Sequence, residues 1–139
     1  MRTFWDRVRH TVLFEAIALF LVAVIGSWIL NRPVAEIGML GVIMAVLAMS
    51  WNMLFNWLFD LWDRKYRNFA KRGLFLRAVH ATLFEAGMLI AGLFIIAWWL
   101  KVSLWEALIM DISFALFFLI YAYLYNWAYD TIFPRPEVV

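Results

Sequence analysis

The chain has 139 residues, of which 67% are of hydrophobic type and 16% charged, against about 45–50% and about 25% in soluble domains. A core this small has too little interior to hide that much apolar surface, so the expected solvent is lipid. Cysteine is absent, which excludes disulfides, thiolate metal sites and cysteine nucleophiles.

Three arginines, Arg2, Arg7 and Arg9, precede the first apolar run, Thr11–Leu30, which is interrupted by Glu15. A cleaved leader can begin this way. The run is long, however, carries an acid and recurs in mid-chain, so it reads as a mature helix. "NRPVAE" (31–36) leads into Ile37–Phe59, which holds no charge, and "DRKYRNFAKRG" (63–73) is the longest polar stretch. Ala78–Leu100 carries His80 and Glu85. After "KVS" (101–103), Val102–Tyr129 carries Glu106 near its start and Asp111 further in. Each run reaches the roughly 20 residues that a helix needs to span the hydrocarbon, and a helix satisfies its own backbone there. Ten of the twelve Lys and Arg residues lie at the N-terminus, in 63–77 or in the tail, leaving Arg32 and Lys101 on the other side. The positive-inside rule therefore predicts that both termini and the central basic segment are cytoplasmic. Trp28, Trp98, Trp99 and Trp105 fall near the outer boundary and Trp5, Trp57, Trp62 and Trp127 near the inner one, as interfacial anchors do. Trp51 falls inside helix 2.

Sliding the sequence by seventy residues aligns 7–60 on 77–130 without a gap, and sixteen of those 54 positions are identical. The polar matches are the informative ones: Arg7/Arg77, His10/His80, Glu15/Glu85, Glu36/Glu106, Asn56/Asn126 and Asp60/Asp130. Each copy holds two helices, so both copies enter the membrane from the same side as parallel repeats. The expected fold is an all-α membrane protein of four transmembrane helices, arranged as two parallel-repeat helical hairpins. The expected organisation is hairpin repeat 1 over 1–62, a basic cytoplasmic loop over 63–76, hairpin repeat 2 over 77–133 and a cytoplasmic tail over 134–139.

Helical spacing places Gly41, Ala45, Ala48, Asn52 and Asn56 on one face of helix 2, and Asp111, Ala115, Ala122 and Asn126 on the matching face of helix 4. Glu15 is grouped with Ala18 and Gly26, and Glu85 with Ala81 and Gly92. Small and polar residues let helices approach and bond, so these faces are expected to point inward. Asn52, Asn56 and Asn126 fit helix packing as well as substrate contact. A carboxylate in mid-helix costs roughly 2.5–3.5 kcal/mol on insertion scales, and its recurrence in register points to function for Glu15 and Glu85. Asp111, deep in the outer half, leans the same way. Arg7 with Asp60, and Arg77 with Asp130, bracket each hairpin and read as interfacial ion pairs. His10 and His80 fit interfacial packing or proton relay. Glu36 and Glu106 are first-turn acids favoured by the helix dipole. Two histidines seventy residues apart make a weak metal site, and neither metal nor cofactor is expected.

A membrane carboxylate among aromatic and amide groups suits a lipophilic cation, with counter-charge from the acid and cation–π attraction from Trp51 and Tyr121. The same carboxylate can carry a proton once the cation leaves, which is the minimal chemistry of antiport. No nucleophile triad, phosphate loop or metal cluster points to an enzyme, and nucleic acid is not an expected partner.

"RVRHTVLFE" and "RAVHATLFEAG", with "WNMLFNWLFD" and "DISFALFFLIYAYLYNWAYD", resemble the paired transmembrane repeat of the proteobacterial antimicrobial compound efflux (PACE) family over nearly the whole chain. The resemblance implies a multi-pass inner-membrane exporter that expels biocides and dyes such as chlorhexidine and acriflavine by proton exchange, with short diamines as a further cargo. It maps the family's helix 1 glutamate onto Glu15, and its helix 2 tryptophan and asparagines onto Trp51, Asn52 and Asn56. Its helix 4 residues map onto Asp111, Tyr121, Tyr129 and Asp130. Two alternatives stay open: an exporter of the small multidrug-resistance type, which lacks this repeat, and a non-transporting membrane scaffold. Four helices enclose little volume, so a homodimer in the lipid bilayer is expected.

Overall fold

A computed structural model describes residues 2–135; the end of the expected tail, 136–139, lies outside the described residues. The elements are four helices, α1 (Phe4–Leu30), α2 (Val34–Arg67), α3 (Leu74–Leu100) and α4 (Leu104–Ile132), and no strand occurs among the described residues. All four are long and apolar enough to cross a membrane.

Local chemistry sets the ends. Thr3 caps α1, its Oγ1 accepting from Asp6 N–H at 3.2 Å, and Ser103 Oγ does the same for Glu106 N–H at 3.2 Å before α4. Pro33 precedes α2, where its missing N–H costs nothing. Asn31 and Lys101, seventy residues apart, end α1 and α3 in the left-handed region at φ 51° and 54°. That conformation is easy for asparagine and strained for lysine. At their basic ends the helices run past the expected membrane segments, because Arg, Lys and Leu continue a helix well once it has nucleated. The polar stretch 63–73 is accordingly helical as far as Arg67, and 68–73 is the join. Its Asn68 and Phe69 both hold positive φ, 50° and 55°.

The helices group into two compact units. One takes in α1, α2 as far as Val42 and α4 from Ser113; the other runs from Ile43 to Ile112. In the first unit, Ile37 and Leu40 at the start of α2 are buried with Ala18, Val22 and Ala23 of α1. Gly26 lets α2 come close, since an added Cβ would lie 2.8 Å from Ile37 Cγ2. Towards its basic end α1 packs on Tyr121, Tyr125 and Tyr129 of α4, around Ala18 and Phe14. In the second unit, Gly92, Ile96 and Leu100 of α3 and Ala107 of α4 are buried near the short connection. At the basic end, Trp51, Phe55 and Phe59 of α2 lie against Phe84 and His80 of α3. Hairpin contacts thus occur next to both short connections, while at the basic ends α1 meets α4 and α3 meets α2. Most of the large apolar side chains, among them Phe20, Trp98 and Leu119, are exposed, as a lipid-facing surface requires.

Candidate functional site

The two units carry the same polar contacts at positions seventy residues apart. In the first, Tyr121 Oη donates to Phe14 O at 2.8 Å, and His10 Nε2 donates to Asn126 Oδ1 at 2.8 Å. In the second, Trp51 Nε1 donates to Phe84 O at 3.0 Å, and His80 Nε2 donates to Asn56 Oδ1 at 3.0 Å. Asn56 Nδ2 turns back on its own helix, to Asn52 O at 2.8 Å and Asn52 Oδ1 at 2.9 Å. Both histidines therefore hold an asparagine of a neighbouring helix, and Asn56 and Asn126 have protein partners.

The units differ in how many donors cross the contact. Tyr125 Oη donates to His10 O at 2.8 Å, and Tyr129 Oη to Asp6 Oδ1 at 2.7 Å while Arg9 Nε donates to the Tyr129 oxygen at 3.1 Å. The matching positions in α2 are Phe55 and Phe59, which make ring contacts with His80 at 4.9 and 4.6 Å between centroids. Tyr125 and the role of Tyr129 escaped the sequence reading. The signal was present in "YAYLYNWAY", where Tyr121, Tyr125 and Tyr129 recur every fourth residue and so stack on one helix face.

The expected ion pairs are corrected. Asp60 pairs with Arg72 Nη2 at 2.8 Å, and Asp130 pairs with Arg2. Arg7 and Arg77 are exposed and form no ion pair among the described residues. Arg2 and Arg72 lie two residues before the first helical residue of α1 and α3, each followed by an extended N-cap residue, Thr3 or Gly73, and from there a long side chain reaches the neighbouring helix. Arg7 and Arg77 lie a turn inside those helices, on a face turned away. Two acids missed in the sequence complete these clusters. Asp6 takes Arg2 Nη1 at 2.6 Å and Arg9 Nη2 at 2.7 Å; Asp63, fully buried, takes Arg67 Nη1 and Arg72 Nε at 2.9 Å each. Hydrogen bonding to Asp6, and then to Asp130, raises the Arg2 guanidinium above its ordinary value; Asp63, and then Asp60, do so for Arg72. Both remain cationic throughout the physiological range.

The glutamates are not on the contact faces. Glu15 and Glu85 are exposed, whereas Ala18 is buried and Phe14 and Phe84 are half-buried. One helical residue turns about 100°, so with Phe14 and Ala18 on the contact Glu15 lies around the side. Glu15 forms no ion pair or hydrogen bond among the described residues.

Asp111 is a second buried acid of the second unit, 6% exposed, and unlike Asp63 it has an oxygen, Oδ2, with no hydrogen-bond partner among the described residues. Gly92 makes its room, since an added Cβ would lie 2.9 Å from both carboxylate oxygens and 3.0 Å from Met44 Cε. In the first unit the equivalent positions are Gly41 and Val22, with the small residue on the opposite helix. Gly87 likewise accommodates Trp51, because an added Cβ would overlap the indole ring. Uncharged, a carboxyl such as Asp111 donates one hydrogen bond; charged, it demands a cation or several donors.

Comparison with known proteins gives the arrangement a context. The sequence profile of the family described as chlorhexidine efflux transporter (BTP) matches the chain twice, over residues 2–65 and 72–135. The chain is 38% identical over 135 residues to the short-chain diamines transporter of Acinetobacter baumannii, covering 94% of this chain and 92% of that protein. It is 34% identical over 129 residues to the short-chain diamines transporter of Acinetobacter baylyi, covering 93% and 90%. For the Vibrio parahaemolyticus short-chain diamines transporter the identity is 33% over 129 residues, covering 93% and 91%. No solved structure matches. The double match removes the small multidrug-resistance alternative, and the transporter relatives remove the scaffold. With four helices long and apolar enough to cross a membrane, two matching repeats and diamine transporters as relatives, the chain belongs to the chlorhexidine efflux transporter family, the proteobacterial antimicrobial compound efflux family, whose members are multi-pass membrane transporters and not enzymes.

Proposed function

We propose that this transporter exports lipophilic cations, including biocides, dyes and short diamines, across the inner membrane in exchange for protons. Glu15 is the carboxylate that holds either the cation or the proton. The observation that carries this reading is the state of Glu15, an exposed acid within the apolar length of α1 with no ion pair among the described residues. An acid so placed keeps its charge only with a cation at hand, and otherwise takes a proton. Tyr121 and Trp51 supply π-faces, Asn52 and Asn126 supply amide groups, and Glu85 and Asp111 are further coupling acids. The diamine cargo of the relatives fits a pathway that offers more than one carboxylate. The basic ends of the helices and both termini face the cytoplasm by the positive-inside bias, and the working form is a homodimer.

Proteoliposomes loaded with a cationic dye or a short diamine test the reading. A proton gradient, acid on the receiving side, drives movement of the cation, and Glu15→Gln abolishes it while the protein stays folded. Exchange of one proton for each cation changes the apparent cation affinity by up to about tenfold per pH unit. Glu15→Gln binds weakly and with little pH dependence. Transport that follows sodium and ignores the proton gradient removes proton coupling, and tight, pH-sensitive binding by Glu15→Gln removes this residue. Crosslinking in active membranes that yields monomers alone removes the dimer.

A further inference from the structure

The end of α2, the join and the start of α3 enclose a cavity of about 430 Å³ lined by Asp63, Phe69, Lys71, Arg72, Arg77 and His80, with Ala70 at its edge. A volume of that order holds a small ligand or a lipid headgroup. The charges around it do not cancel. Asp63 is taken by Arg67 and Arg72, and Asp60 by Arg72. Lys71 and Arg77 line the same cavity and form no ion pair among the described residues. Two guanidinium groups and two carboxylates are thus matched, leaving an ammonium and a guanidinium unmatched, with His80 beside them. Such a cavity attracts an anion.

The surroundings favour an anion that belongs to the bilayer. Phe69 lines the cavity, and Leu74 and Phe75, directly after the join in the chain, are 85% and 83% exposed. Exposed apolar side chains next to unpaired cations at the end of a membrane helix match a ligand with a charged head and an apolar body. A free phosphate would use the cations and leave the apolar rim without a function. We propose that this cavity binds the phosphate of an anionic phospholipid, held by Lys71 and Arg77, with the acyl chains against Leu74 and Phe75. The site is distinct from the carboxylates that handle cations. It ties the lipid composition of the leaflet to the join between α2 and α3.

The test uses the full chain in detergent, titrated with phosphatidylglycerol or phosphatidylcholine and read by native mass spectrometry. Phosphatidylglycerol binds at least about tenfold more tightly than phosphatidylcholine, as two basic side chains near an anionic headgroup imply. Lys71→Gln with Arg77→Gln abolishes the preference. Arg64→Gln with Lys65→Gln, which removes equal charge outside the cavity, retains it. So does the charge-conserving Lys71→Arg with Arg77→Lys, which also guards against a folding defect. Equal loss from the cavity pair and the outside pair overturns the proposal in favour of diffuse attraction. Displacement of the lipid by inorganic phosphate at millimolar concentration overturns the assignment to lipid.

Discussion

Gly92 and Asp111 are tightly enough matched for the match to be measured. Gly92→Ala places a Cβ 2.9 Å from both oxygens of Asp111 and 3.0 Å from Met44 Cε. Methionine yields at its tip, but the carboxylate is short and buried, so overpacking costs about 1–3 kcal/mol. Alanine returns about 1 kcal/mol of helix propensity over glycine, leaving a net loss of about 0–2 kcal/mol and a displaced Asp111. Gly92→Val is the larger insult and loses about 3 kcal/mol. The first unit shows the remedy: there Val22 packs near Gly41, with an added Cβ on Gly41 at an ordinary 3.7 Å from Val22 Cγ1. Gly92→Val combined with Asp111→Gly transplants that pairing. It removes the clash together with a buried, unpartnered carboxylate oxygen, itself a burden of about 1–3 kcal/mol. The double variant should therefore be more stable than Gly92→Val alone by at least about 2 kcal/mol, and the relieved clash, which Asp111→Gly alone does not have, is the part that appears as coupling in a double-mutant cycle, while transport is lost. Unfolding in mixed micelles titrated with dodecyl sulfate, followed by tryptophan fluorescence, measures the four stabilities, and efflux of a cationic probe measures the proposed function. A coupling under about 0.5 kcal/mol would refute the steric argument.

Tyr125→Phe removes the bond to His10 O, whose carbonyl keeps its helical partner, so about 0.5–1.5 kcal/mol is lost in the same unfolding assay. Gly87→Ala displaces the Trp51 indole from Phe84 O and costs about 1–3 kcal/mol, seen as a change in tryptophan emission before any unfolding. Lys101→Gly relieves a left-handed lysine at φ 54° and gains about 0.5–1 kcal/mol, with efflux unchanged. An unaltered melting profile for that variant would show that the helix end carries no strain.

The four helices were legible because lipid imposes a simple demand: a spanning segment must be apolar for about 20 residues and satisfy its own backbone. Their extra turns at the basic ends were not, since hydropathy marks the hydrocarbon boundary and a helix ends on its caps. The repeat was legible through its polar residues in register. It could not reveal which helix each repeat element touches. Asn126 was visible as half of a repeated pair, but its partner proved to be His10, 116 residues away. The arginine partners of Asp60 and Asp130 were misassigned for a related reason, because bracketing in sequence says nothing about which side chain leaves the helix in the right direction. Glu15 was legible as an unusual acid. Its exposed position was not, since grouping it with Ala18 ignored the rotation between Phe14 and its neighbour.

The pairing of α1 with α4 has a consequence for the order of synthesis. The second unit is one continuous stretch, and its cross-helix bonds at the basic end span 24 to 33 residues. It can close as soon as the start of α4 has left the ribosome. The bonds of α1 to α4 span 107 to 123 residues. The basic end of the first helix inserted is therefore the last to be joined, and it waits in the bilayer with the carbonyls of Phe14 and His10 lacking their final neighbours. Long closures of this kind slow assembly. A chain interrupted before Tyr121 would leave the second unit with its own contacts made and α1 without its basic-end mate.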